Sequence, residues 1–251
     1  MQDSRLEQPV RTLWRHLSMP ETNERELCYQ CLRPKSNCYC KYIKSVDTDI
    51  KWIFLMHPKE AKRQRTGTGR LASLSLPGSE ILVGVDFSDN ERLNTLLQDP
   101  QYYPVLLYPS PDAWTAHKKG FKEAIGNKTL LVILVDSTWA CSKKIIKLSR
   151  NLYDLPRLSF YGNYRSIFTF KHEPKEYCVS TIESCYYLIK ELQTTGIAKR
   201  NADPEPLMTV FKALIQFQLS KENERITSGL PGSHAYDWKY TKLREIPTSS
   251  V

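Results

Sequence analysis

A run of apolar residues, Thr129-Leu-Leu-Val-Ile-Leu-Val135, carries no charge and ends abruptly in the polar sequence Asp136-Ser-Thr-Trp139. A short, charge-free run rich in β-branched residues predicts a strand covered on both faces, as in a parallel α/β sheet. Ligand sites in such sheets lie at the carboxyl ends of the strands. We therefore expect the functional site of this chain to lie at Asp136.

Similar apolar segments alternate with polar, helix-compatible segments along most of the chain. Predicted strands cover 50–56, 80–85, 104–108, 131–135 and 156–160, with a further strand at 165–170. Predicted helices cover 9–18, 89–98, 112–125, 139–152, 180–192 and 206–218. Repeated strand–helix alternation predicts an α/β fold with a largely parallel sheet.

The segment that follows Trp139 has the spacing of an amphipathic helix. Its apolar positions recur at i, i+4, i+7 and i+11, whereas Lys143, Lys147 and Arg150 fall on a different face. The whole chain has 36 Lys and Arg against 27 Asp and Glu, a formal charge of +9. This balance favours a polyanionic partner, with nucleic acid first, although a merely soluble basic protein has the same composition.

Four of the seven cysteines, Cys28, Cys31, Cys38 and Cys40, stand close together. The amino terminus lacks the apolar core of a signal peptide and no segment has the length of a membrane span, so we expect a cytoplasmic protein. In a reducing compartment this spacing predicts a closed, structural zinc site rather than disulfides. An iron–sulfur cluster is the main alternative, because it also takes four thiolates.

Two further segments next to predicted strands or helices are candidates for anion binding. Residues 60–70 combine two glycines with several Lys and Arg, but they lack the spacing of a Walker loop, and a flexible basic loop is the simpler interpretation. Ser180 and Glu183 have the spacing of a capping box for the following helix. The amino terminus of that helix is also suited to a carboxylate ligand.

Six motifs in order resemble the DTW-domain family of tRNA-uridine aminocarboxypropyltransferases, over about residues 28–195. They are Cys28 to Cys40, His57-Pro58, Thr68-Gly69-Arg70-Leu71, Tyr108-Pro109-Ser110, Asp136-Ser-Thr-Trp139 and Ser180-Thr-Ile-Glu183. The resemblance implies a SPOUT-like α/β domain, one of the rare folds with a knot. It also implies that tRNA is the partner and that S-adenosylmethionine donates its 3-amino-3-carboxypropyl group.

The resemblance implies the region of the site, and the chemistry and spacing of the residues there give candidates for individual roles. The catalytic candidates are Asp136, Thr138 and Trp139, with Asp136 as base or orienter and Trp139 stacking on a base. Structural alternatives are that Asp136 caps the next helix and that Trp139 belongs to the core. The candidates for donor binding are Tyr108, Pro109, Ser110, Asp136, Ser180, Thr181 and Glu183. The candidates for RNA binding are Arg63, Arg65, Arg70, Lys143, Lys147, Arg150 and Arg165.

We divide the chain into an amino-terminal helix and four-cysteine zinc module at 1–46, a catalytic domain at 47–200, and a carboxyl-terminal helix and tail at 201–251. A monomer is favoured. Two other functions fit the sequence, namely a non-catalytic zinc-containing RNA-binding protein and an RNA methyltransferase. Binding of S-adenosylmethionine separates the first from an enzyme, and the reaction product separates the second.

Overall fold

The computed structural model of the protein describes residues 26–62, 67–168 and 178–229. The helix predicted at 9–18 and the tail that follows residue 229 lie outside these ranges. Within them, no helix is long and apolar enough to cross a membrane.

Five parallel strands form one sheet in the order β2-β1-β4-β3-β5. The strands are β1 Lys51–Met56, β2 Glu80–Val83, β3 Tyr102–Leu107, β4 Thr129–Asp136 and β5 Arg157–Leu158. The uncharged run identified in the sequence is β4, which lies in the middle of the sheet and is buried along most of its length. The predicted α/β fold with a parallel sheet is therefore confirmed. Its SPOUT-like classification and its knot remain predictions from the resemblance.

Helices cover both faces of this sheet. They are α1 Pro58–Lys62, α2 Gly69–Ser75, α3 Glu91–Gln98, α4 Phe121–Ile125, α5 Trp139–Leu148, α6 Thr181–Thr194 and α7 Glu205–Thr227. Short 3-10 helices at Lys35–Asn37, Cys40–Tyr42 and Arg150–Leu152 complete the regular structure of the described residues.

Strand alternation divides the core into two layers. In β1, Trp52 and Phe54 pack with α2, α6 and α7, whereas Ile53 and Leu55 pack with α3 and α5. Each fully buried side chain of this size contributes about 1.5–3 kcal/mol of hydrophobic stabilisation. Because both faces are covered, the ends of the strands are the part of the sheet left to form a site.

Several predicted elements differ from the observed ones. The helix predicted at 206–218 continues to Thr227, and the strand predicted at 156–160 is reduced to Arg157–Leu158. The helix predicted at 112–125 is reduced to α4, because Trp114 instead pairs with the sheet edge by donating its N–H to Arg157 O at 2.8 Å. The helix predicted to reach residue 152 ends at Leu148, where the buried Ser149 hydroxyl accepts a hydrogen bond from Phe87 N. Residues 165–168 form no strand, because the backbone N–H of Ile167 donates to a Glu183 side chain.

The described part of the amino-terminal module packs directly on the main core. Tyr39 is buried, its ring meets that of Phe217 of α7 edge-on at 6.3 Å, and the Arg33 guanidinium lies 4.9 Å from the Tyr39 ring centroid. Arg33 Nη2 also donates to Gly67 O at 3.1 Å. The cysteine segment therefore contacts both α7 and the segment that leads into α2.

Candidate functional site at the carboxyl edge of the sheet

The order of the strands brings the ends of β1, β3 and β4 side by side. Met56 and Asp136 are paired in the register of β1 and β4, and His57 N donates to Asp136 O at 3.1 Å. Tyr108 follows β3 on the other side of β4. Three of the six sequence motifs thus meet at one edge of the sheet, as expected for a parallel fold.

The Asp136 side chain points into the layer formed by α2 and α6. It is only 5% exposed, and its Oδ1 accepts a hydrogen bond from Thr181 Oγ1 at 2.7 Å. Burial, followed by the negative charge of Asp136, raises the pKa of the Cys185 thiol one turn further along α6. The Asp136 carboxylate at the end of β4 is therefore packed against the first two turns of α6 and largely shielded from solvent.

Gly69, the first residue of α2, makes this arrangement sterically possible. A Cβ at this position would overlap the Asp136 carboxylate, with Oδ1 at 2.9 Å and Oδ2 closer still. The backbone of α2 consequently packs directly on the carboxylate. Sequence reasoning placed Gly69 in a basic loop and did not predict this contact, because it depends on how α2 packs against β4.

Tyr108 and Trp139 lie on the opposite side of the sheet edge. Tyr108 packs with the α3 and α5 layer, and its ring centroid is 6.1 Å from that of Trp139, with a 48° angle between the planes. Both rings are half-buried. The backbone then turns away through the exposed Pro109 and the half-buried Ser110, whose carbonyl accepts from Ala113 N at 3.1 Å. The catalytic and donor-binding candidates thus fall on both faces of β4.

Thr138, not Asp136, caps α5. The Thr138 hydroxyl accepts a hydrogen bond from Cys141 N at 3.4 Å, and the Thr138 backbone is extended as in an N-cap. The structural alternative in which Asp136 caps this helix is therefore wrong. Asp136 instead accepts a hydrogen bond from Thr181 of α6, and the catalytic roles of Asp136 and Thr138 stay predictions.

Arg157 was missed in the sequence and lies on the same face as Tyr108. It is paired with Leu106 in the register of β3 and β5, and its Nη1 is buried with no hydrogen-bond partner in the described ranges. Burial lowers the pKa of the Arg157 guanidinium, and the nearby Tyr108 acts in the opposite direction. The sequence feature that could have identified Arg157 as a candidate is a charged residue within the short predicted strand 156–160.

The capping box at the start of α6 is present as predicted. Glu183 is fully buried, and its carboxylate accepts from Ser180 N, Ser180 Oγ, Ser166 Oγ and Ile167 N at 2.6–2.8 Å. Three of these four bonds are on Oε2 and one is on Oε1, so they use most of the acceptor capacity of Glu183. Glu183 therefore anchors Ser166 and Ile167 to α6, and donor binding by Ser180 and Glu183 remains a prediction.

His57 is held as a neutral imidazole beside the same edge. Its Nδ1 accepts from Lys59 N at 3.1 Å, which leaves the proton on Nε2. Burial, then the charges of Lys59 and Lys144, lower the pKa of His57. A neutral His57 adds no charge beside the carboxylate of Asp136.

The four cysteines converge on one point. Their sulfur atoms all lie within 4.8 Å of one another, with Cys28 Sγ 3.6 Å from Cys40 Sγ and Cys31 Sγ 3.8 Å from Cys38 Sγ. Four sulfurs around one zinc ion at about 2.3 Å are about 3.8 Å apart, so this spacing fits a single tetrahedral ion. Backbone hydrogen bonds from Cys31 and Gln30 lower the pKa of Cys28 to about 6, whereas burial raises the pKa of Cys40. Metal binding requires all four thiols to lose their protons.

The cationic candidates are spread over several surfaces. Lys143 and Lys147 are exposed on α5, but Arg150 is exposed on the following 3-10 helix rather than on α5 itself. Arg165 is exposed next to the Ser166 anchored by Glu183. Arg70 lies on α2, and its buried Nε has no hydrogen-bond partner among the residues described. Arg63 and Arg65 fall outside the described residues.

With this geometry, the chain is an α/β protein with a buried carboxylate at a sheet edge and a four-cysteine cluster. The model of the DTW domain family matches residues 25–219, and the chain belongs to this family. It is also 28% identical over 205 residues to a tRNA-uridine aminocarboxypropyltransferase 2 of Drosophila melanogaster, in an alignment that covers 78% of each protein. No solved structure matches the chain significantly. The resemblance stated from the six motifs is confirmed.

Proposed function

We propose that this protein transfers the 3-amino-3-carboxypropyl group of S-adenosylmethionine to the imide nitrogen of a uridine in tRNA. The name of the Drosophila relative supports tRNA as the acceptor and the aminocarboxypropyl group as the group that is transferred. The observation that carries the proposal is the buried Asp136 carboxylate, positioned by Thr181 and pressed against Gly69 at the carboxyl edge of the sheet.

The reaction is a displacement at carbon. The imide nitrogen forms a bond to the carbon next to the sulfonium, and the bond from that carbon to sulfur breaks. Sulfur keeps the electron pair, and neutral methylthioadenosine leaves. The imide proton must be lost, and the reacting carbon, rather than the methyl group, must lie in line with the nitrogen.

Asp136 is the group best suited to assist the loss of the proton. Thr181 fixes one carboxylate oxygen, so the carboxylate does not have to be reoriented when the uracil arrives. The low exposure of Asp136 removes most competing water. A base positioned in this way contributes about a hundredfold to ten-thousandfold in rate.

Two aromatic rings and two cations surround the edge where the substrates would meet. Tyr108 and Trp139 offer stacking surfaces for the adenine or for a uracil taken out of the RNA stack. Arg157 and Arg70, each with a buried guanidinium nitrogen that has no partner in the described part of the chain, suit the carboxylate of the donor or an RNA phosphate.

Zinc has a structural role in this proposal. Cys28, Cys31, Cys38 and Cys40 would fill all four positions of a tetrahedral ion, which leaves none for a substrate. Zinc would supply folding energy to a module with little core of its own. The hydrogen bond from Arg33 to Gly67 O would connect the zinc module to the segment that leads into α2. Gly67 stands two residues before Gly69, which contacts Asp136.

The proposal is tested by incubating the purified protein with unmodified tRNA and S-adenosylmethionine, followed by mass analysis of nucleosides and of the spent donor. We expect aminocarboxypropyluridine together with methylthioadenosine. Methyluridine with S-adenosylhomocysteine would instead identify a methyltransferase. Binding of tRNA without binding of the donor would identify a non-catalytic RNA-binding protein.

A further inference from the structure

A second polar surface lies at the far end of α6 from Asp136, and the proposed reaction does not use it. We call it the α4–α6 surface and define it by His117, Lys122, Tyr161, Gly196 and Arg200. It joins the segment around α4, the loop that follows β5, and the turn after α6.

Two cations of this surface converge on Gly196. A Cβ at Gly196 would lie 3.2 Å from Lys122 Nζ and 3.5 Å from Arg200 Nη2, so both charged groups lie over the same glycine. Lys122 Nζ also donates to Thr195 O at 3.1 Å. In the described part of the chain, neither cation forms a salt bridge with a carboxylate, unlike the adjacent Lys199, which pairs with Asp47 at 2.6 Å. Two adjacent like charges repel each other, and an anion between them relieves that repulsion.

An exposed aromatic ring extends the surface. Tyr161 is 70% exposed, and its ring centroid is 4.7 Å from that of His117. His117 Nε2 in turn lies 3.3 Å from Thr194 Oγ1, two residues before Gly196. The aromatic pair and the cation pair are therefore linked by a continuous series of contacts.

A buried carboxylate fixes the backbone that carries this exposed ring. Glu191 is 4% exposed and accepts hydrogen bonds from Tyr161 N at 2.9 and 3.0 Å and from Gly162 N at 2.8 Å. These bonds use the backbone, so the Tyr161 ring does not contribute to them. An exposed aromatic ring on a fixed stretch of backbone offers a face on which a base can stack.

We propose that the α4–α6 surface binds RNA, with a phosphate between Lys122 and Arg200 and a base stacked on Tyr161. Cations next to an exposed aromatic ring are the combination that single-stranded or loop nucleotides require, whereas an acidic protein would need only the cations. The formal charge of +9 is consistent with such a partner. The proposal rests on the proposed function only in taking the RNA to be tRNA.

The position of the surface indicates a folded RNA rather than a single nucleotide. Helix α6 has 14 residues and runs from Thr181 at Asp136 to Thr194 at this surface. At about 1.5 Å per residue the two ends are about 20 Å apart, which a folded tRNA spans and a nucleotide does not. The surface would hold one part of the tRNA while a uridine from another part reaches Asp136.

Equilibrium binding of unmodified tRNA, measured across a range of salt concentrations without donor, tests the proposal. The first variant carries Lys122→Gln and Arg200→Gln, and its matched control carries Lys212→Gln and Lys221→Gln, two exposed lysines of α7. Loss of the one phosphate held between Lys122 and Arg200 should flatten the slope of log affinity against log salt by about 0.7 to 0.9 relative to the control. The second variant, Tyr161→Ala, keeps the backbone bonds to Glu191 and should weaken binding by about fivefold to a hundredfold.

Thermal melting confirms that each variant is folded before binding is compared. Equal affinities and slopes for the Lys122/Arg200 variant and its control would overturn the phosphate contact, and wild-type affinity of Tyr161→Ala would overturn the stacking contact. Because no donor is present, these results are independent of the transfer reaction. A wild-type protein that binds tRNA but transfers no group would contradict the proposed function. It would not contradict RNA binding by the α4–α6 surface.

Discussion

The cysteine cluster and the Asp136 site bring their groups together over very different distances in the sequence. Cys28 and Cys40, the outermost ligands of the cluster, are 12 positions apart. Asp136 and the Thr181 hydroxyl that positions it are 45 positions apart, and Gly69 approaches from a third element. The cluster is thus formed by one local segment, whereas the site forms only after β4, α2 and α6 have packed together.

This difference determines what each region depends on. All four ligands of the cluster come from one segment, and a bound ion would stabilise that segment in addition to the contacts of Tyr39 with α7 and of Arg33 with Gly67. The Asp136 site depends on the stability of the sheet and on close backbone packing, since a single added methyl group at Gly69 would meet the carboxylate. We therefore expect substitutions in the cluster to act by removing a metal ligand. Substitutions at Gly69 should act by changing the shape of the Asp136 site.

Removal of the metal should have the largest effect on the molecule. Structural zinc binds zinc-finger peptides with about 10–16 kcal/mol, and we expect Cys31→Ser to lose the metal and the protection of residues 26–46 against hydrogen exchange. Cys141→Ser, at a half-buried cysteine outside the cluster, is the matched control. Metal analysis should give one zinc per wild-type chain. An iron–sulfur absorbance, or full protection without metal, would contradict the zinc assignment.

Asp136→Asn should have the next largest effect, and it should act on rate rather than on structure. The amide keeps the shape and accepts the hydrogen bond from Thr181, but it does not take up the imide proton at neutral pH. We expect single-turnover transfer to slow by about a hundredfold to ten-thousandfold, with the dissociation constants of donor and tRNA little changed.

Thr181→Val sharpens the same test, because it removes the hydrogen bond to Asp136 and leaves the carboxylate in place. If Asp136 is a base positioned by Thr181, this variant should be slower by about tenfold, well short of the loss in Asp136→Asn. Near-normal turnover of Asp136→Asn would reduce Asp136 to a packing residue. Loss of donor binding in that variant would instead make Asp136 a ligand contact.

The sequence predicted those features that depend on local spacing. The zinc ligands, the capping box of Ser180 and Glu183, and the β4 strand that ends at Asp136 are each recognisable within one short segment. The order of the strands, and therefore which loops meet, is not encoded in any single segment. For this reason the contact of Gly69 with Asp136 was not predicted.

Two other misses have the same physical origin. The role of Glu191 depends on a loop 29 and 30 positions earlier in the chain, whose backbone N–H groups donate to its carboxylate. Residues 112–120 have helix-compatible polarity, but pairing of Trp114 with the edge strand prevented a helix there. In both cases a tertiary hydrogen bond determined a structure that local preference left open.

Gly69→Ala tests the dependence of the site on shape. The added Cβ overlaps the Asp136 carboxylate, and overpacking of this kind costs about 1–3 kcal/mol. We expect transfer to slow by about tenfold or more because Asp136 must move. Gly78→Ala is the control, since Gly78 has a φ of +68° but no atoms near its Cβ position, so it should lose stability without slower transfer. Equal rates for the two variants would remove the steric role of Gly69.

The smallest effects on activity should come from substitutions of the two buried glutamates of α6. These substitutions distinguish the role of the Asp136 end of the helix from that of the α4–α6 surface. Glutamine keeps one acceptor oxygen but puts an NH2 donor in place of the other, so in Glu183→Gln at least one buried donor, such as Ile167 N, loses its acceptor. We expect each substitution to lose about 1–3 kcal/mol, at about 2–4 °C in melting temperature for each kcal/mol. Glu183 anchors Ser166 and Ile167 near the site, whereas Glu191 holds Tyr161 and Gly162 at the far end. We therefore expect Glu183→Gln to slow single-turnover transfer at saturating tRNA and Glu191→Gln to weaken tRNA binding alone. The same response to both substitutions would show that α6 acts as one unit and that its two ends do not have separate roles.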